Sequence, residues 1–108
     1  MNILISTLKE ELKTALRLEK RYLKDLQKLP KGCFIVRKKN DNRYGYITRR
    51  NGEKIVQEYL GKMDDKKIEH YQQLMMQRKN YQKKLKSIRQ QLSILRKALR
   101  GKTTQARH

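Results

Sequence analysis

Apolar residues recur every three or four positions along the first 29 residues of this 108-residue chain. This spacing is that of a coiled-coil seam with one polar member, Glu19. Leu16 and Leu23 widen the apolar stripe toward that of a globular helix. Because the residue before a proline disfavours helical backbone angles, Pro30 is expected to end the helix, and we predict a helix over residues 3–28. The seam is formed by Ile5, Leu8, Leu12, Ala15, Glu19, Tyr22, Leu26 and Leu29.

The pattern changes to a two-residue alternation over residues 33–60, which predicts strands rather than a helix. Asn40-Asp41-Asn42 is expected to form a turn between the first two strands. Asn51-Gly52 is a strong hairpin signal, since both residues tolerate the positive φ of a type I′ turn. We therefore predict a three-stranded antiparallel meander. Three strands are marginal alone, so a helix is expected to cover one face, but the alternation does not say which face.

The helical period returns after residue 64. Asp64 or Asp65 is expected to cap this second helix, because a carboxylate accepts hydrogen bonds from the free N–H groups of a helix start. We predict a helix over residues 65–100, with Gly101 ending it and residues 101–108 forming a basic disordered tail. The seam of this helix is formed by Tyr71, Leu74, Arg78, Tyr81, Leu85, Ile88, Leu92, Leu95 and Leu99.

Both helices carry an apolar seam, so they are expected to pair as an antiparallel, coiled-coil-like hairpin joined by the meander. This arrangement predicts a single α+β domain over residues 1–100, in the order α-β-β-β-α. The second helix is longer than the first, and a homodimer through its uncovered part is a further expectation. On the seam, Arg78 is expected either to reach solvent or to pair with Glu19 across the hairpin.

The chain is strongly basic, with 29 Lys or Arg, ten Asp or Glu and a formal net charge of +19. Residues 70–108 contain eleven Lys or Arg and no acid. A solvated surface helix normally alternates charge, because Glu and Lys four residues apart stabilise each other. A surface without that support is favoured where an anion lies against it. The alternative is a solubilising face that binds nothing.

Two groups of residues are candidates for contact with nucleic acid, because guanidinium groups bind phosphate bidentately and bases stack on tyrosine rings. For the tyrosines of the meander we favour packing in the core of the sheet, since aromatic residues suit half-buried strands. For the cations of the second helix, a solvated exterior is the alternative. The meander contributes Arg37, Lys38, Lys39, Arg43, Tyr44, Tyr46, Arg49, Arg50 and Lys54. The second helix contributes Lys79, Lys83, Lys86, Arg89, Arg96, Lys97 and Arg100.

Residues that could carry catalysis are sparse. His70 and His108 are the only histidines, and the single Cys33 excludes an internal disulfide or a Cys-rich zinc site. The scattered acids lack the arrangement of a metal-dependent nuclease, and no P-loop is present. We therefore predict a non-enzymatic protein without a cofactor. No apolar run is long enough to cross a bilayer and no signal peptide is recognisable, so the expected location is the cytoplasm, on the nucleoid or in a host cell.

The middle of the chain carries five short motifs, which are Leu29-Pro30-Lys31-Gly32, Arg37-Lys38-Lys39, Tyr44-Gly45-Tyr46, Asn51-Gly52-Glu53-Lys54 and Tyr59-Leu60-Gly61-Lys62. With these motifs it resembles a group of small basic proteins, functionally uncharacterised, from low-GC Gram-positive bacteria and their mobile elements. It is also similar to the N-terminal arm of some transposases. The resemblance covers roughly residues 29–100 and implies a DNA- or RNA-associated role on mobile DNA.

Three functions are compatible with these features. The first is a nucleic-acid-binding protein of mobile-element or phage type, which contacts mainly the phosphate backbone of DNA or RNA through the basic meander and the acid-free helix. The second is a small inhibitor of a nucleic-acid-handling enzyme, similar to anti-CRISPR proteins, which binds an RNA-guided nuclease complex. The third is a coiled-coil adaptor that dimerises through the second helix.

Overall fold

A computed structural model describes residues 2–105 of the chain, and for residues 102–105 it describes the backbone alone. The predicted α+β fold in the order α-β-β-β-α is confirmed. Helix α2 continues past Gly101, where we expected it to end, because a glycine inside a helix costs only about 1 kcal/mol relative to alanine. Residues 106–108 of the predicted tail lie outside the described residues. The elements are α1 (Ile3–Gln27), β1 (Cys33–Lys39), β2 (Asn42–Asn51), β3 (Lys54–Lys62) and α2 (Asp65–Gln105).

The chain forms two compact units. The helical unit comprises Met1–Leu26 and Tyr81–His108, and the sheet unit comprises Gln27–Asn80. Helix α2 therefore contributes its first part to the sheet unit and its remainder to the helical unit. From the sequence we predict a single domain over residues 1–100. The sequence pattern does not indicate the division into two units.

The core of the helical unit is built from the two predicted seams. Leu92 is the most deeply buried large side chain, with 1% of its surface exposed. The ring centroids of Tyr22 and Tyr81 lie 6.3 Å apart, whereas Glu19 contacts Arg89. An earlier position on α1 thus meets a later position on α2, so the two helices are antiparallel, as predicted. The buried cluster is Ala15, Leu85, Ile88, Leu92 and Leu95, and partly buried Leu8, Leu12, Leu18, Tyr22, Leu23 and Leu26 pack against it.

The ionic partner of Glu19 differs from the prediction. Arg89 donates from Nε to Glu19 Oε2 at 3.1 Å. Arg78 is not the partner, and its Nη1 is buried without a hydrogen bond. Since Tyr22 meets Tyr81 in an antiparallel pair, a residue three positions before Tyr22 must meet a residue after Tyr81, which excludes Arg78. The Glu19–Arg89 pair is partly solvated and contributes at most about 1 kcal/mol to stability.

The three strands form an antiparallel sheet in the order β1-β2-β3. Asn40 and Asp41 both have positive φ, 51° and 66°, which is the pattern of a type I′ turn between β1 and β2. The predicted type I′ turn at Asn51-Gly52 is wrong. Asn51 is paired with Lys54 across the second hairpin, so the central residues of that turn are 52 and 53. Only the first of them, Gly52, has positive φ, which is the pattern of a type II′ turn.

One face of the sheet is covered within the sheet unit. Gly45 and Ile47 of β2 are buried on this face, and the buried side chain of Met63 packs against Gly45. Phe34 lies opposite Ile47 in the register, and its ring stacks on that of Tyr71 from α2, with centroids 5.1 Å apart. Tyr71 of α2 and Met63, two residues before α2 begins, thus cover the sheet, as the marginal stability of three strands requires.

Asp64 caps helix α2, and its removal gives a first testable effect. The backbone N–H of Lys67 donates to Asp64 Oδ1 at 2.8 Å, which satisfies one free donor of the first turn. We expect Asp64→Ala to lower the free energy of unfolding by about 1 kcal/mol, measured by urea denaturation. Asp64→Asn keeps an acceptor oxygen and should unfold close to the parent. Equal losses in the two variants would show that the cap does not operate.

Candidate nucleic-acid interface

The tyrosines of the meander lie on the face opposite Gly45 and Ile47, because successive side chains of a strand point to opposite sides. Tyr59 of β3 pairs directly with Tyr46, and their ring centroids lie 5.3 Å apart. The Tyr44 ring lies 6.3 Å from that of Tyr59. We name this surface the tyrosine face. The aromatic and cationic side chains that the register places on it are Arg37, Lys39, Tyr44, Tyr46, Arg50, Tyr59 and Lys62.

The exposure of these rings corrects the interpretation that they form the core of the sheet. Tyr59 has 59% of its surface exposed, and Tyr44 and Tyr46 are half-buried. The buried residues of the sheet unit are instead those of the covered face, around Ile47 and Met63. Alternation then leaves the tyrosines facing away from that core, so three adjacent rings present part of their area to solvent.

A β-bulge sets which residues join the tyrosine face. The register shifts between Gly45 and Tyr46, so that Tyr44 pairs with Lys62. An unbroken register would pair Tyr44 with Gly61, two residues after Tyr59. Gly61 adopts φ 102°, a backbone conformation that glycine accommodates without a Cβ clash. The bulge therefore places a lysine, where a regular hairpin would place a glycine, at one end of the aromatic patch.

The tyrosine face is cationic. The Arg37 guanidinium carbon lies 5.4 Å from the centroid of the Tyr46 ring, within the range of a cation–π contact. Lys39 and Asn40 line an open pocket of about 410 Å³ together with the three tyrosines. Within the described strands, the acidic residue is Glu58, and it pairs with Ile47 on the other face. Positive charge on the tyrosine face is therefore not neutralised by a carboxylate on the same strands.

The structure divides the predicted meander cations between the two faces. Arg37 and Lys39 lie on the tyrosine face beside the rings, and Arg50 lies on the same face four residues further along β2 than Tyr46. Arg43, on the opposite face, is partly neutralised, since its Nη2 lies 2.8 Å from Asp65 Oδ1. A ligand on the tyrosine face would thus meet a subset of the predicted residues. The cations on the opposite face are Lys38, Arg43, Arg49 and Lys54.

The predicted cations of α2 do not form one uniform row. Lys83, Lys86 and Lys97 are exposed. Lys86 follows Lys83 by three residues and precedes Lys97 by eleven, and both intervals are close to whole helical turns. The three lysines therefore share one side of α2 along about 21 Å of the helix axis. Arg89 is engaged with Glu19. Lys79 is exposed on the part of α2 that belongs to the sheet unit, and Arg96 and Arg100 are exposed on the helical unit.

A groove accompanies the helical cations. Lys86 and Arg89 line it together with the apolar side chains of Leu26 and Leu85, and its volume is about 590 Å³. The remaining lining residues are Gln82, Gln90 and Ser93, so no carboxylate lines the groove. Cations at its edge could contact phosphates, but nothing in its lining provides a stacking ring.

Sequence reasoning missed two residues of the tyrosine face, Tyr59 and Lys62. Tyr59 could have been found by counting pairs outward from the predicted turn at Asn51-Gly52, because that register pairs Tyr59 with Tyr44 and so places it on the same face. Lys62 could not, because its position depends on a bulge. The bulge has no marker in the sequence apart from Gly61.

Neither a metal centre nor a membrane-spanning helix is found in the part of the chain that the structure describes. No three His, Cys, Asp or Glu side chains of residues 2–101 are grouped so as to hold a metal ion. No described helix is long and apolar enough to cross a bilayer. In comparisons with known proteins, no family model, curated protein or solved structure matches this chain.

Proposed function

We propose that this chain is a non-enzymatic nucleic-acid-binding protein that contacts mainly phosphates, through the cations of the tyrosine face and of α2. The observation that carries the proposal is the segregation of positive charge from acids. Residues 70–108 contain no acid, and Glu58, the acid of the described strands, lies away from the tyrosine face. Like charges along one helix repel and destabilise it, and a bound polyanion removes that cost.

The proposal assigns DNA or RNA as the partner and the cytoplasm as the place of action. The resemblance of residues 29–100 to proteins of mobile elements supports a role on mobile or phage DNA. A homodimer through α2 stays a prediction, to be measured by sedimentation at several protein concentrations. Each phosphate neutralised by Lys or Arg releases counterions, so binding should weaken steeply as salt rises.

A charge-removal series on α2 tests this proposal. We expect Lys83→Gln/Lys86→Gln/Lys97→Gln to weaken binding of labelled oligonucleotides irrespective of sequence. It should also reduce the slope of log affinity against log salt by roughly two to three, about one for each lost phosphate contact. Fluorescence anisotropy from about 50 to 300 mM salt gives both quantities.

A matched variant on α1 is the control for net charge. Lys9→Gln/Lys13→Gln/Lys20→Gln removes the same charge from exposed positions, but these lysines stand among Glu10, Glu11 and Glu19. The α1 variant should change the slope by less than one. Equal effects of the two variants would mean generic attraction to the net charge. Loss of all binding by about 150 mM salt would favour the inhibitor hypothesis, in which the partner is a protein–nucleic-acid complex.

A further inference from the structure

We propose that the tyrosine face binds unstacked bases of single-stranded nucleic acid, with Tyr59 and Tyr44 as stacking rings and Arg37, Lys39 and Lys62 beside the phosphates. This inference rests on the proposed function and narrows its substrate class. The structure supports it through three properties of the face, namely accessible rings, flanking cations and the position of the acids.

The accessible rings favour single strands over duplexes. In a duplex each base is already stacked between its neighbours, so a protein ring cannot reach its flat surface. Bases of a single strand can be splayed onto aromatic side chains, and every base offers such a surface. Tyr59 has 59% of its surface exposed and lies beside both Tyr44 and Tyr46. Other sheet platforms that bind single strands stack two or three bases on their aromatic side chains, and this face offers three adjacent rings.

Binding of a single-stranded nucleic acid also requires positive charge along its phosphate backbone, and the flanking cations supply it. The Arg37 guanidinium lies over the Tyr46 ring and covers part of its surface. Tyr59 and Tyr44 are therefore the rings that a base can reach more readily. Lys39 borders the pocket between the tyrosines. The bulge places Lys62 opposite Tyr44. Cations thus border the rings from β1 and from β3, on both sides of the central strand.

The position of the acids argues for a polyanion as the occupant. Glu58 lies on the covered face, where it does not oppose an approaching phosphate. Positive charge alone would also attract an acidic peptide. A run of carboxylates offers no planar base for the tyrosine rings, however, so polyglutamate serves as a competitor that isolates the charge.

The decisive comparison uses two single strands of about 12 nucleotides, oligothymidylate and an abasic strand with the same phosphates. At about 150 mM salt we expect the wild-type protein to bind oligothymidylate at least tenfold more tightly than the abasic strand or a duplex of equal length. Because the chain contains no tryptophan, tyrosine emission should also be quenched by bases but not by the abasic strand. Oligouridylate forms a further arm, and its affinity relative to oligothymidylate shows whether RNA or DNA is preferred.

Variants locate the effect on the tyrosine face. Tyr59→Leu should remove most of the tenfold preference, whereas Tyr59→Phe, which keeps the ring, should retain it. The exposure of Tyr59 makes both variants compatible with folding, which circular dichroism checks. Arg37→Gln/Lys39→Gln should weaken binding to both strands. The matched control Lys38→Gln/Lys54→Gln removes equal charge from exposed positions on the opposite face and should have less effect.

The outcomes separate the inference from the proposed function. Equal binding of oligothymidylate, abasic strand and duplex would overturn the inference while the proposed function stands. Unchanged affinity of Tyr59→Leu for oligothymidylate would likewise overturn it. Binding to none of these probes at about 150 mM salt, or complete competition by polyglutamate at equal charge, would overturn both.

Discussion

Replacing Leu92 with alanine is expected to lower the free energy of unfolding by about 3 kcal/mol. Leu92 is 1% exposed and lies among Ala15, Ile88 and Leu95 in the cluster that joins α1 to α2. Truncation would remove buried methyl groups and leave a cavity that two long helices can only partly close. This is a large fraction of the 5–15 kcal/mol typical of a small protein, so the midpoint of urea denaturation should fall clearly.

Ile94 provides the matched control on the same helix. It lies two residues from Leu92, has the same number of side-chain carbons and is 67% exposed. Ile94→Ala should change stability by less than about 0.5 kcal/mol, because it opens no cavity and alanine has the higher helix propensity. Comparable losses in the two variants would contradict the assignment of one seam as the core of the helical unit.

Replacing Gly32 with alanine is expected to be the most damaging single change in the sheet unit, with a loss of about 2 kcal/mol or more. Gly32 adopts φ 114°, a conformation that residues with a Cβ rarely adopt. A Cβ at this position would also clash with the backbone carbonyl oxygen of Thr48. Thr48 is held by pairing with Cys33, so its carbonyl cannot yield without disturbing the β1–β2 ladder.

Gly101 provides a control for which the expected change in the free energy of unfolding has the opposite sign. It lies within helix α2, and a Cβ there would meet no atom within 4 Å apart from its chain neighbours and the backbone of its own helix. Gly101→Ala should therefore stabilise the protein by up to about 1 kcal/mol, because alanine favours the helix and restricts the unfolded chain. Thermal or urea unfolding measures both changes. A neutral Gly32→Ala variant would contradict the backbone geometry at the start of β1.

The helices and their pairing could be predicted because the signal is long and redundant. Seam positions recur over many turns, so one polar member, such as Glu19, does not obscure the period. Pro30 fixes the end of α1 to within one residue of the expected position. The predicted end of α2 at residue 100 was wrong, because a lone Gly101 lowers the stability of a helix only slightly.

The register of the second hairpin shows why the contacts within the tyrosine face were only partly predicted. Centring the turn on Asn51-Gly52 would pair Tyr46 with Gln57 and Tyr44 with Tyr59. The actual turn shifts each partner by two residues, which brings Tyr59 beside Tyr46. Asn-Gly signals a hairpin strongly, but here the chain turns one residue later. The sequence motif therefore located the hairpin without fixing which side chains meet across it.

The most direct test of nucleic-acid binding is a titration of the ¹⁵N-labelled protein with oligothymidylate at about 150 mM salt, followed by amide chemical shifts. We predict saturable shifts on the strands around Tyr44, Tyr46 and Tyr59 and on the exposed cations of α2, with little change along α1. An absence of shifts, or small shifts spread evenly over every exposed Lys and Arg including those of α1, would contradict the account.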